Sequence, residues 1–112
     1  MAKHHFVVLS NPKEGRAKEF SDWYDGRHLM EVASVPGISG ATRYELTAAV
    51  GAPPNSWAFR SLAVYDIDVD DPMPVLKTIE EWAMSGKMPI SDALDADGVR
   101  TFLYRKCKET KA

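Results

Sequence analysis

Two segments with helical spacing are each set between strand-like segments, and this order limits the fold more than any other feature of the chain. The first, Glu14 to Val35, repeats Phe20, Trp23, Tyr24, Arg27, His28 and Glu31 at intervals of three and four, the period of an amphipathic helix. The second, Pro74 to Ser85, does so with Val75, Leu76, Ile79, Trp82 and Ala83, and Gly86 is placed to cap its end. His5 to Ser10 is short, apolar and β-branched, and stops at Asn11-Pro12. Gly40 to Thr47 alternates, with Thr42, Tyr44 and Leu46 on one side and Ala41, Arg43 and Glu45 on the other. Trp57 to Ile67 is the longest expected strand; Trp57, Phe59, Ser61, Ala63, Tyr65 and Ile67 share one face, and Arg60, Leu62 and Val64 the other. Val99 to Cys107 is the last strand, after a loop from Met88 to Gly98 that has room for one helical turn.

The order β-α-β-β-α-β predicts a ferredoxin-like α+β fold, a four-stranded antiparallel sheet with two helices on one face. The strands are apolar or aromatic on both sides, so both faces should be buried. A second copy of the chain is the expected cover: a homodimer whose two sheets meet as an α+β barrel. Residues 1–112 make one domain, and a core of this size gains from oligomerisation. The net charge of −2 and pI near 5.9 argue against nucleic acid as a partner. The apolar run Phe6 to Leu9 is too short for a signal peptide or a membrane span. Cys107 is the single cysteine, so no internal disulfide forms. The expectation is a soluble cytoplasmic protein with no membrane partner.

Gly26 sits inside the first helical pattern, where glycine costs about 1 kcal/mol relative to alanine. A break or kink is expected near Asp25-Gly26, with a second short helical piece from Arg27 to Ser34. Val35-Pro36-Gly37 ends it, because a residue before proline avoids the α region.

The string Asn11-Pro12, Glu14-Gly15-Arg16, Glu19-Phe20, Trp23-Tyr24-Asp25, His28-Leu29, Val35-Pro36-Gly37 and Arg43-Tyr44 resembles the EthD-like branch of the dimeric α+β barrel superfamily. The resemblance covers about the first 45 residues; the remainder matches in element order. The family pattern has proline straight after the His-Leu pair, where this chain has Met30, so the helix is free to run on more continuously here. The resemblance implies a fold whose members include cofactor-free monooxygenases of polyketides, polyketide cyclases, muconolactone isomerases, haem-degrading enzymes and stress-response proteins. It does not imply one reaction.

His28 is the first candidate catalytic residue. Imidazole titrates near neutrality and serves as acid or base, and this histidine belongs to the motif that carries the resemblance. The plainer alternative is a histidine that caps the kink. Tyr24, four residues earlier, shares its helix face. It is either the group that holds or protonates a substrate oxygen or an amphipathic core tyrosine. Asp25 either caps a backbone amide or orients His28. Trp23 is a packing or substrate-contact residue. Arg27 and Glu31 have the spacing of a surface ion pair. Arg43 either receives a substrate carboxylate or pairs with Glu45 or an acid across the dimer. Trp57, Phe59 and Tyr65 flank small Ser61 and Ala63. That pattern suits a flat aromatic ligand, and it also suits sheet-on-sheet packing.

No CxxC, HxH, HExxH, GxGxxG or P-loop pattern is present, so no metal or nucleotide cofactor is expected. No residue set demands haem. The reading is a cofactor-free enzyme that moves a proton on a small aromatic or polyketide-like substrate, as an isomerase, cyclase or lyase. The alternatives are a non-catalytic ligand-binding or stress-response dimer, and a cofactor-free monooxygenase.

Overall fold

The computed structural model describes residues 3–51 and 59–112. Four strands, β1 (His4–Ser10), β2 (Ile38–Glu45), β3 (Ser61–Ile67) and β4 (Arg100–Arg105), form one antiparallel sheet in the order β2-β3-β1-β4. Two helical layers pack on one face, which is the ferredoxin-like α+β arrangement. The first comprises α1 (Ala17–Trp23), a π turn (Tyr24–His28) and α2 (Leu29–Ala33); the second is α3 (Met73–Ser85). Gly86 caps α3 in the left-handed region, as expected.

The register explains which residues meet the helices. Tyr65 lies opposite Phe6 on one side and Ala41 on the other, and Ala63 opposite Val8 and Arg43. Ser61, Ala63, Tyr65 and Ile67 therefore share the helix-facing side and are all buried. They pack with Phe20, Tyr24, Val32 and Val35 from the first helical layer and Val75 from α3. The opposite sheet face carries Val7, Leu9, Leu62 and Val64, with Tyr44, Phe102 and Tyr104 exposed on it.

β3 begins at Ser61 rather than near position 57. Phe59 precedes the strand and lies beside Leu9, Tyr44 and Leu62, on the open face rather than among the helix-facing residues. Trp57 lies outside the described residues.

The break or kink expected near Asp25-Gly26 takes the form of the π turn, not of an interruption. The helix runs without interruption from Ala17 to Ala33 and absorbs one extra residue, the Leu29 amide donating to the Tyr24 carbonyl five positions back. Nothing lies within 4 Å of where a Gly26 Cβ would project, so crowding does not select glycine there. Gly37, which starts the turn into β2, is different: its φ is +101°, and a Cβ would sit 2.6 Å from Val75 Cγ2. Only glycine allows β2 to start that close to α3.

Candidate functional site

An apolar cavity of about 180 Å³ lies between the sheet and the helices. Each wall has a different origin. Phe6, Val8 and Ser10 of β1 and Tyr65 of β3 form its floor, and Trp23, Tyr24 and His28 come from the end of α1 and the π turn. Ile79 and Ala83 of α3 and the segment through Met88, Ile90 and Leu94 close the remainder. That segment is held in place by backbone bonds, Lys13 N–H to the Ala93 carbonyl at 2.7 Å and Asp95 N–H to the Asn11 carbonyl at 3.0 Å. Arg16 adds an ion pair to Asp92 at 2.7 Å.

The polar groups of the cavity are few. The Tyr24 and Tyr65 hydroxyls are 3.2 Å apart. Burial pushes both phenols above their ordinary value, so both keep their protons. The His28 ring stacks on Trp23, centroids 4.4 Å apart and planes at 21°, and meets Tyr24 edge-on at 4.9 Å. Its Nδ1 is buried and has no hydrogen-bond partner among the described residues. Burial lowers the His28 pKa to about 4, against a smaller opposing pull from Glu31. This corrects the expectation of an imidazole poised near neutrality. The resting ring is neutral at pH 7, able to accept a proton but not to donate one as an acid.

Asp25 is also corrected. It neither caps an amide nor orients His28; its carboxylate takes two bonds from Arg43, at 2.5 and 2.8 Å. Arg43 is nearly fully buried, with 6% of its side chain exposed, and also binds Glu45 at 2.9 Å and Ser61 Oγ at 3.3 Å. The pairing with Glu45 was among the expected alternatives. The guanidinium lies 5.6 Å from the Tyr24 ring centre, in cation–π range. Arg43 lines a separate polar groove with Ser21, Glu45 and Arg60, not the His28 cavity. Its guanidinium bonds run to Asp25 of the π turn, to Glu45 and to Ser61. Arg27 and Glu31 pair at 3.0 Å, as their spacing predicts.

The fold thus brings together His28, Tyr24, Trp23 and Tyr65 and leaves Arg43 and Phe59 elsewhere. Ser10 joins the cavity unannounced. Its one sequence signal was period-two spacing behind Phe6 and Val8 in an otherwise apolar strand.

No family model matches the chain, and no curated protein does. Solved structures do. An EthD family protein from Bacillus halodurans C-125 superposes with a TM-score of 0.61 at 16% identity, over 96% of this chain and 100% of that one. The chain has the fold of an EthD family protein. A "putative monooxygenase" from Shewanella loihica PV-4 superposes with a TM-score of 0.65 at 9% identity, over 96% of this chain and 97% of its own. At such identities the likeness concerns the fold. It agrees with the EthD-like, dimeric α+β barrel resemblance carried by the motif around His28. Among the described residues, no helix is long and apolar enough to cross a membrane.

Proposed function

We propose that the cavity is an active site in which neutral His28 removes a proton from a small, flat, largely apolar substrate. The Tyr24–Tyr65 hydroxyl pair binds the oxygen on which negative charge develops. The observation that carries this reading is the meeting of a buried, unpartnered imidazole nitrogen with two protonated phenols around one apolar cavity. An imidazole with a pKa of about 4 is a weak base in the empty site, so it suits a C–H or O–H already acidified by a neighbouring carbonyl or aromatic ring. Anionic charge forming beside it would raise its proton affinity, as opposite charges in a low-dielectric site stabilise each other. The C–H electron pair passes into an enolate or phenolate. Return of the proton at another atom gives isomerisation, and attack of the carbanion on a second carbonyl gives cyclisation. A reaction of the same electron-rich anion with dioxygen is the monooxygenase variant, in keeping with the name of the Shewanella loihica neighbour. Trp23 packs against the imidazole and bounds the ring-shaped space. No metal or organic cofactor enters this scheme.

The active form in this proposal is a cytoplasmic homodimer. Tyr44, Phe102 and Tyr104 are exposed on the sheet face away from the helices, around Val7, Leu62 and Val64. A contiguous apolar face of that kind is expected to be covered, and a second sheet of the same chain is complementary to it. Phe59 then belongs to the neighbourhood of the dimer contact, and Arg43 supports the π turn instead of binding substrate.

Deuterium exchange at the α-carbon of 2-indanone tests the reaction. The protein should accelerate it, and His28→Gln should reduce the acceleration by about 100-fold, the usual size of a general-base contribution, while keeping the fold. Equal exchange in the variant and the native protein would remove His28 from the chemistry. A second reading, a non-catalytic ligand-binding or stress-response dimer, is favoured by the low basicity of the resting imidazole. It predicts ligand binding without any exchange.

A further inference from the structure

Ser10 ends β1 and is 1% exposed. Its Oγ is buried and, like His28 Nδ1, has no hydrogen-bond partner among the described residues. Strand alternation sets it on the same face as Phe6 and Val8, and all three line the cavity that holds His28. Its register neighbour Ser61 is equally buried but bonded, since an Arg43 guanidinium nitrogen donates to it at 3.3 Å. A buried hydroxyl without a partner is destabilising, and an alanine or valine would fill the position without that penalty. Two such atoms around one apolar cavity point to a ligand that supplies both partners. Ser10 is four residues along β1 from Phe6, the residue paired with Tyr65, so it stands toward the other end of the sheet from that pair. Four residues of strand span about 13 Å, a separation better matched by two ligand oxygens than by one. The cavity's 180 Å³ sets the size: an apolar cavity of about 150 Å³ holds one benzene.

We propose that Ser10 is a second substrate-binding group, and that the ligand is a single ring with short substituents carrying oxygens at opposite ends. One oxygen meets the Tyr24–Tyr65 pair beside His28, and the other bonds to Ser10 Oγ. This rests on the reading of the cavity as a ligand site.

Matched ligands test it: phenol against hydroquinone, and 4-ethylphenol against 2-(4-hydroxyphenyl)ethanol, with binding measured by calorimetry and by NMR shifts. In the native protein at least one two-oxygen ligand should bind about tenfold tighter than its one-oxygen counterpart. Ser10→Ala should abolish that advantage and leave the one-oxygen Kd unchanged, with the free protein melting no lower than before. Equal binding of both members of each pair by the native protein would overturn the role of Ser10. So would a variant that weakens both members alike, or neither. Failure of the native protein to bind any of the four would overturn the cavity reading itself, and this inference with it.

Discussion

The rings of Trp23 and His28 lie nearly parallel with centroids 4.4 Å apart, although the two residues are five positions apart in the chain. In a regular α-helix, at about 100° per residue, they would point roughly 140° away from each other. The π turn from Tyr24 to His28 supplies the missing rotation. It also keeps Tyr24 against the imidazole edge. A single inserted residue thus delivers three aromatic side chains to one cavity, which is where π turns tend to be kept.

Asp25 sits in that turn and Arg43 on β2, and their paired bonds should hold the turn in place. Arg43→Met should lower stability by about 2 kcal/mol, through the loss of its bonds to Asp25, Glu45 and Ser61 rather than through the carboxylates left behind, which are more than half exposed. Asp25→Asn should cost less, about 1 kcal/mol, since the carboxylate is 57% exposed and Glu45 remains. Both should weaken the ring-current shift that Trp23 imposes on the His28 protons. Urea titration and proton NMR give the two readouts, and an unchanged His28 spectrum would mean the turn stands without the clamp.

Gly26→Ala reads the same turn from the other side. A Cβ there meets nothing, so the helix-propensity gain of about 0.5–1 kcal/mol should appear as added stability. Loss of the Trp23–His28 stacking shift in this variant would show the turn reverting to a regular helix.

Acid stability follows from His28. Its folded pKa, about 4, lies below the ordinary 6.5, so between those values the unfolded chain binds more protons than the folded one. Stability is complete above pH 6.5 and falls as pH drops toward 4, by on the order of 3 kcal/mol over the full window. His28→Gln should flatten that limb. Asp25, held below its ordinary value by Arg43, loses its contribution at lower pH still, as pH falls through and below the carboxylate range. Urea unfolding at pH 7, 5.5 and 4 and at a pH well below the carboxylate range separates the two.

Gly37→Ala should destabilise by about 2 kcal/mol or more, through its φ of +101° and the contact with Val75. A denaturation midpoint equal to that of the native protein would mean the start of β2 can move away from α3.

Val64→Arg tests the proposed dimer, since Val64 lies on the open face next to Val7 and Thr42. Sedimentation should show a monomer with native circular dichroism. A variant that stays dimeric places the subunit contact elsewhere.

The sequence by itself determined the element order, the shared strand face of Ser61, Ala63, Tyr65 and Ile67, the Gly86 cap, the Arg27–Glu31 pair and the shared helix face of Tyr24 and His28. Each of these depends on a repeat of two or of three to four residues, or on one residue's backbone preference, and such signals are local. Met30 was informative in the same way, because without a proline the helix runs on. What only the tertiary structure decided depends on groups far apart in the chain. The π turn is braced by Arg43, 18 residues from Asp25. The lowered His28 pKa comes from burial against groups far from it in the chain as well as near it. Ser10 reads as a strand-end serine until the sheet and helices close over it and leave its hydroxyl unpaired. Periodicity specifies which residues share a side of an element, but which side meets the helices, desolvation and hydrogen-bond satisfaction depend on what arrives from elsewhere, and those effects make a cavity into a site.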